Sequence, residues 1–81
     1  METIISPDLT LLTTLGRNLR MHRVRLKLTQ TDLANKTGLS RANISRIENN
    51  FKARKPYNPS LLFVATLATC LGVKFLDLFK E

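Results

Sequence analysis

The stretch TQTDLANKTGLSRANISRIENN, residues 29–50, decides the reading of the chain. Its second half reads as a helix with Ser40 as N-cap, Arg41 in the first turn and Glu48 in the last. Both charges oppose the helix macrodipole, which favours anions at the N-terminus and cations at the C-terminus by roughly 0.3–1 kcal/mol each. At about 100° per residue, Ile44 and Ile47 fall together toward a core, whereas Arg41, Ala42, Ser45 and Arg46 spread over the opposite arc. That arc carries long cations and small residues, so nothing on it blocks close approach of a large surface. An anionic partner accounts for Arg41. Glu48 requires a cation from outside the helix.

Thr29 and Asp32 form a capping signal that opens a short helix over roughly 30–37, with Leu33, Ala34 and Thr37 on its inner side. Gly38 can take the left-handed conformation that ends this helix, and Asn50 is expected to stop the next one in the same way. Upstream, SPDL (6–9) opens a first helix with Ser6 as cap, Pro7 at the first position and Asp8 in the first turn. Leu9, Leu12, Leu15 or Gly16, Leu19 and His22 follow at helical spacing, and the helix ends near Val24–Lys27. Downstream, FKARKPYNP (51–59) reads as a basic loop. A fourth helix then runs from near Ser60 to Leu71, with Leu61, Val64, Leu67, Ala68 and Leu71 as its core stripe and Gly72 as its stop. A short fifth helix over about 74–80 carries Phe75, Leu78 and Phe79. No segment alternates with period two and no repeat is visible, so the chain is expected to be all-α with five helices.

Eighty-one residues make one small domain, near the lower limit for a self-supporting core. The formal net charge is +7, and the excess is concentrated: 11 basic residues against 2 acidic ones lie between Arg17 and Lys55. Such a field points to nucleic acid or an anionic membrane, unless it is simply a solvated basic face. The uncharged run from Pro56 to Val73 contains Tyr, Asn, Ser and Thr, and its helical part suits a buried core helix rather than a membrane span. Secretion is not indicated, because METIISPDL lacks a basic start followed by an apolar stretch. The lone Cys70 excludes an internal disulfide and reads as a packed, inert thiol, which fits a reducing cytoplasm. One His and one Cys far apart, without clustered carboxylates or a Gly-rich phosphate loop, offer no catalytic site, metal centre or cofactor site.

A helix, a tight turn containing Gly and a second helix with an exposed polar face make a helix-turn-helix arrangement over about 30–49. Gln30, Ala34, Gly38, Ile44 and Ile47 supply the helix-start Gln, small residue, turn Gly and core aliphatics of that motif. With LGRNLRMHR, LTQTDLANKTGLSRANISRIEN and NPSLLFVATLATCLGVKFLDLF, the chain resembles the Cro and phage-repressor (XRE-type) helix-turn-helix DNA-binding proteins over about 15–50 and 58–79. The resemblance implies a compact lambda-repressor-like domain spanning residues 1–81. It implies phosphate contacts at Gln30, Ser40 and Asn49, base reading at Arg41, Ala42 and Arg46, and a pairing of Arg23 with Glu48, which would otherwise be an exposed acid. An Arg in the major groove can bond guanine O6 and N7 together, so Arg41 and Arg46 predict guanine-containing half-sites unless either holds only phosphate. Ala42 can touch a thymine methyl. Asn43 lies off the exposed arc and is read as a cap-region or DNA-backbone contact.

Three features depart from the family pattern. The loop between Glu48 and Pro59 is several residues longer than usual and carries Lys52, Arg54 and Lys55, which would reach DNA phosphates or else lie solvated. The first helix starts early. His22 replaces an apolar residue and reads as a packed or half-exposed ring.

Single modules of this size bind weakly, and the resemblance implies a two-fold dimer on inverted repeats of double-stranded DNA. Leu62, Phe63, Thr66, Cys70 and Leu76 lie away from the core stripes and offer a dimer surface within about 60–80, unless the early start of the first helix covers them. The expected function is a sequence-specific transcription regulator acting as a repressor, of plasmid, phage or its own genes. A controller protein of restriction–modification systems, which also activates, is the near alternative; an antitoxin or adaptor that chiefly grips another protein is the distant one. The chain's end at Glu81, directly after the fifth helix, weighs against the adaptor and leaves control to concentration, degradation or a partner.

Overall fold

Four α-helices and two 3-10 segments are the regular structure of the computed structural model, which describes Ile5 and residues 8–81; no strand occurs among them. In order they are α1 (Thr10–Arg25), α2 (Gln30–Thr37), α3 (Arg41–Glu48), a 3-10 turn (Asn50–Lys52), α4 (Leu61–Leu71) and a closing 3-10 segment (Phe75–Phe79).

Local chemistry sets most of these boundaries. The Asp8 carboxylate accepts from the Thr10 backbone N–H at 2.9 Å and from its hydroxyl at 2.6 Å, just ahead of α1. The first helix therefore begins at Thr10, later than the SPDL reading; Ser6 and Pro7 lie outside the described residues. At the other end, Lys27 adopts φ 59°, a left-handed conformation that turns the chain toward α2. A full capping box starts α2: the Thr29 hydroxyl accepts from the Asp32 N–H at 3.0 Å, and the Asp32 carboxylate accepts from the Thr29 N–H at 2.9 Å. Gly38 at φ 73° closes that helix. Ser40 caps α3 through the Asn43 N–H, and Ser60 caps α4 through the Phe63 N–H. Gly72 at φ 71° ends α4.

Two terminations differ from expectation. The C-cap of α3 is Asn49 at φ −101°, and Asn50 continues into the 3-10 turn instead of turning left-handed. Its amide is bonded to Tyr57 across the loop, which fixes Asn50 in this geometry. The closing segment is 3-10 rather than α. Asn18 on α1 donates its amide to the carbonyls of Leu78 (2.9 Å) and Lys80 (2.6 Å), and so short a piece is satisfied by the tighter winding.

Leu15 and Leu19 of α1, Leu33 of α2, Ile44 and Ile47 of α3, Leu67 of α4 and Leu78 of the closing segment form the fully buried centre. Val64, Ala68 and Leu71 extend it along α4. Leu61 departs from the expected stripe: it is 76% exposed, in the first turn of α4, where no neighbouring element covers it. Phe75 and Phe79 pack against the core with tilted rings whose centroids are 5.3 Å apart. His22 is half-buried.

Gly16 decides how closely α1 meets α3. A Cβ there would run into the Ile47 carbonyl and crowd Glu48 Cα. Gly16→Ala is therefore expected to destabilise the fold by about 1–3 kcal/mol, as for other overpacked sites, through a lower urea midpoint; an unchanged midpoint would show that the helices can separate freely.

The capping contacts also give a pH dependence. The Thr29 backbone N–H, and then its hydroxyl, hold the Asp32 carboxyl below its ordinary value. Lys80, then the Lys74 backbone N–H, do the same for Asp77. A depressed folded-state value stabilises the fold above the ordinary Asp pKa, and that contribution is lost as pH falls through the lowered value. Asp32→Asn should flatten part of the stability loss below about pH 4 in urea melts run between neutral and acidic pH; an unaltered profile would mean the box contributes nothing.

Candidate nucleic-acid interface

The end of α3 is anchored by a buried acid. The Glu48 side chain is only 3% exposed and receives a bidentate pair from Arg23 of α1: Nε at 2.7 Å and Nη2 at 2.8 Å. Arg23 Nη1 donates to the Leu28 carbonyl at 2.7 Å, so one guanidinium spans α1, the α1–α2 turn and α3. Its bond to Glu48 raises the Arg23 pKa against the opposing effect of burial. Gln30, at the start of α2, adds a third donor to Glu48 at 3.2 Å. In this structure its side-chain amide is turned toward Glu48, although Gln30 was expected to meet a phosphate.

With its inner face buried and its end held, α3 presents Arg41, Ala42 and Arg46 exposed on one side. Ser40 is exposed at the same end, its hydroxyl accepting from the Asn43 N–H. The Asn43 side-chain Oδ1 accepts from Arg46 Nη1 at 3.1 Å, so Asn43 orients Arg46. Nothing in the spacing of the sequence distinguishes that role from a cap contact. Asn49 is exposed beyond Arg46, with its amide donating to the Ser45 carbonyl at 2.9 Å and to the Ser45 hydroxyl at 3.2 Å. Lys52, Arg54 and Lys55 follow in the loop, all exposed, with Lys52 Nζ 5.5 Å from the centroid of the Phe51 ring.

The apolar residues of α4 and the closing segment divide in two. Leu62 and Leu76 are 77% and 70% exposed, and Leu61 joins them. Phe63 and Cys70, expected to lie away from the core, are instead half-buried and pack against it; α4 is apolar on so much of its circumference that its flanks also sink inward. Thr66 is half-buried, its hydroxyl bonded to the Leu62 carbonyl. Among the described residues no group of three His, Cys, Asp or Glu could hold a metal ion, and no helix is long and apolar enough to cross a membrane.

A helix-turn-helix family model matches residues 19–78, which spans α2, the Gly38 turn, α3 and most of the supporting core. The chain belongs to the XRE-type helix-turn-helix family. Over 61 residues, 75% of the chain, it is 41% identical to an HTH-type transcriptional regulator of Methanocaldococcus jannaschii, spanning 85% of that protein. Over a stretch of equal length it is 39% identical to the immunity repressor protein of Bacillus phage phi105, of which it spans only 39%. The crystal structure of the hypothetical transcription factor NHTF from Neisseria aligns with the whole chain and 88% of its own, with a TM-score of 0.76 and 30% identity.

The helix-turn-helix family is one of DNA-binding transcription regulators, and in this chain α2, the Gly38 turn and α3 form a helix-turn-helix. The arrangement is suited to that chemistry: a cationic, sterically open face on α3, with its opposite face held rigidly by the core and by Arg23. Removing one member of a buried pair leaves an uncompensated charge, which costs about 3–5 kcal/mol. Arg23→Ala should lower stability by that much in denaturant titration, and Arg23→Met with Glu48→Met should recover most of it. A loss below about 1 kcal/mol for the single change would place the pair among exposed bridges.

Proposed function

We propose that the chain is a repressor that reads an inverted-repeat operator in the major groove of double-stranded DNA as a cytoplasmic homodimer. The observation that carries this reading is the exposure of Arg41, Ala42 and Arg46 together on the outer side of α3. Arg41 and Arg46 would read guanines through O6 and N7, and Ala42 would meet a thymine methyl. Ser40, Asn49 and the loop cations Lys52, Arg54 and Lys55 would hold phosphates, fixing the register without carrying sequence information. Asn43 would act through Arg46 and the adjoining backbone, and Gln30 would turn from Glu48 to a phosphate when DNA arrives. The repressor assignment is supported by similarity to a phage immunity repressor, and the single-domain plan by the one core that all four helices share.

Dimerisation is supported by the exposure of Leu61, Leu62 and Leu76, at 76%, 77% and 70%. Thr66, Phe63 and Cys70 would flank this contact from their half-buried positions. Catalysis forms no part of the reading: repression follows from occupying a promoter.

Selection of binding sites from random duplex DNA at near-physiological salt tests this. The expected product is a guanine-bearing inverted repeat with half-sites about one helical turn apart. Arg41→Ala or Arg46→Ala should each relax preference at one base pair per half-site, by about 1–3 kcal/mol of discrimination. Retention of DNA without any consensus would reduce the face to an electrostatic footprint, and loss of the repeat symmetry would remove the dimer.

A further inference from the structure

The outer side of α1 carries residues that neither the core nor the α3 face uses. Met21 and Val24 are 47% and 55% exposed, and Phe51, in the 3-10 turn after α3, is 60% exposed even with Lys52 Nζ 5.5 Å from its ring centroid. These three residues line an open groove of about 720 Å³ between α1 and that turn. Arg17, Arg20 and Arg25 line it with them, all exposed. Among the described residues none of these three guanidinium groups has a carboxylate partner; the ion pairs are Arg23–Glu48 and Lys80–Asp77. Glu48 borders the groove, but its buried carboxylate already holds Arg23 and Gln30.

A groove lined by Met, Phe and Arg but no Lys has the composition of a protein–protein contact, in which those three residue types are enriched and Lys is depleted. A phosphate backbone would use the arginines and leave the apolar floor uncovered. The occupant has to supply apolar side chains and carboxylates together. A second copy of this chain is a poor match: its net charge is +7, its carboxylates at Asp8, Asp32 and Asp77 are hydrogen-bonded at the starts of elements, and Glu48 is buried. The shape of the groove narrows the choice further. Arg17, Met21 and Val24 follow at spacings of four and three residues, so they form one stripe along α1. Counted from Thr13, which also lines the groove, that stripe is about 16 Å long at the helical rise per residue. A partner helix of about three turns laid alongside matches it.

We propose that this groove is the docking site of an acidic amphipathic helix of another protein. The apolar side of that helix lies on Met21, Val24 and Phe51, and its flanking carboxylates meet Arg17, Arg20 and Arg25, whose forked guanidinium groups bond carboxylates in pairs. Apolar burial supplies the affinity, and the arginines fix the register and turn away basic partners. None of these residues is among those that the DNA reading uses, so the site stands or falls independently of it. Glu48 forms part of the wall, so a bound helix lies against the junction that holds α3.

The test titrates the full chain into fluorescein-labelled synthetic peptides about three helical turns long, followed by anisotropy at near-physiological salt. One peptide carries Leu and Phe on one side and Glu on the other. A second has Lys in place of every Glu, and a third is polyglutamate of the same length. The first should bind saturably, and the other two more weakly by about tenfold or more. Arg20→Glu and Val24→Gln, both at exposed positions, should each weaken the first peptide by about tenfold. Amide shifts of the isotopically labelled natural chain should move at Thr13–Arg25 and at Phe51, and this mapping decides if either variant fails to fold. Equal binding of polyglutamate would reduce the groove to a patch of charge. No saturable binding, or binding that both variants leave unaltered, would place any partner elsewhere, and each of these results overturns the proposal. Arg20→Glu weakening a mixed-sequence duplex with the peptide unaffected would give the arginines to DNA instead. Self-association of the chain that Val24→Gln abolishes, with the peptide unbound, would give the groove to a second copy, and either outcome likewise overturns it.

Discussion

A carboxylate buried at the C-terminal end of a helix is opposed by both desolvation and the helix dipole, and Glu48 is placed in that position. The fold tolerates it because Arg23 reaches across from α1 with two charge-assisted bonds while Gln30 supplies a third. Such an arrangement fixes geometry more than it adds stability, since removing the charges from water offsets much of their attraction. Gly16 is the complement of that constraint: without a side chain at this point, α1 approaches the Ile47 backbone closely enough for Arg23 to reach its partner. The orientation of α3, and of everything it presents, depends on this junction.

From the junction outward the remaining chemistry is arranged around α3. Ser40 sets where the helix begins, the Ile44 and Ile47 side chains set which face is buried, and Asn43 steadies Arg46 on the opposite face. The basic loop continues the same cationic surface, drawn in by Asn50. Leu61, Leu62 and Leu76 of α4 and the closing segment remain uncovered.

Local signals were the legible part of the sequence. The Thr29–Asp32 box, the Ser40 and Ser60 caps, and the left-handed Gly38 and Gly72 each act within a few residues, and each marks an element boundary in the structure. The all-helical architecture follows from these and from the spacing of the apolar residues. Contacts between residues distant in the chain were not legible in the same way. Asn50 reads locally as a helix stop, but its amide is occupied by Tyr57, and the helix ends differently as a result. Asn18 gives no local sign that it will hold the carbonyls of Leu78 and Lys80 and so wind the last segment as 3-10. Leu61 fits the helical period yet remains outside the core, because periodicity assigns a face but not the extent of its cover. The left-handed Lys27 was equally hidden, since its neighbours supply none of the Gly or Asn that usually mark such a turn. The link between Arg23 and Glu48 is visible in the sequence only through the family resemblance.

The central claim is that the face carrying Arg41, Ala42 and Arg46 is the one that meets DNA. Amide chemical-shift mapping of the isotopically labelled protein, titrated with a selected duplex, addresses it directly. The account predicts the largest changes at the start of α2, along Ser40–Arg46 and in the loop through Asn58, with α4 changing little. Changes concentrated on α4 and the closing segment, with Arg41 and Arg46 unmoved, would contradict it.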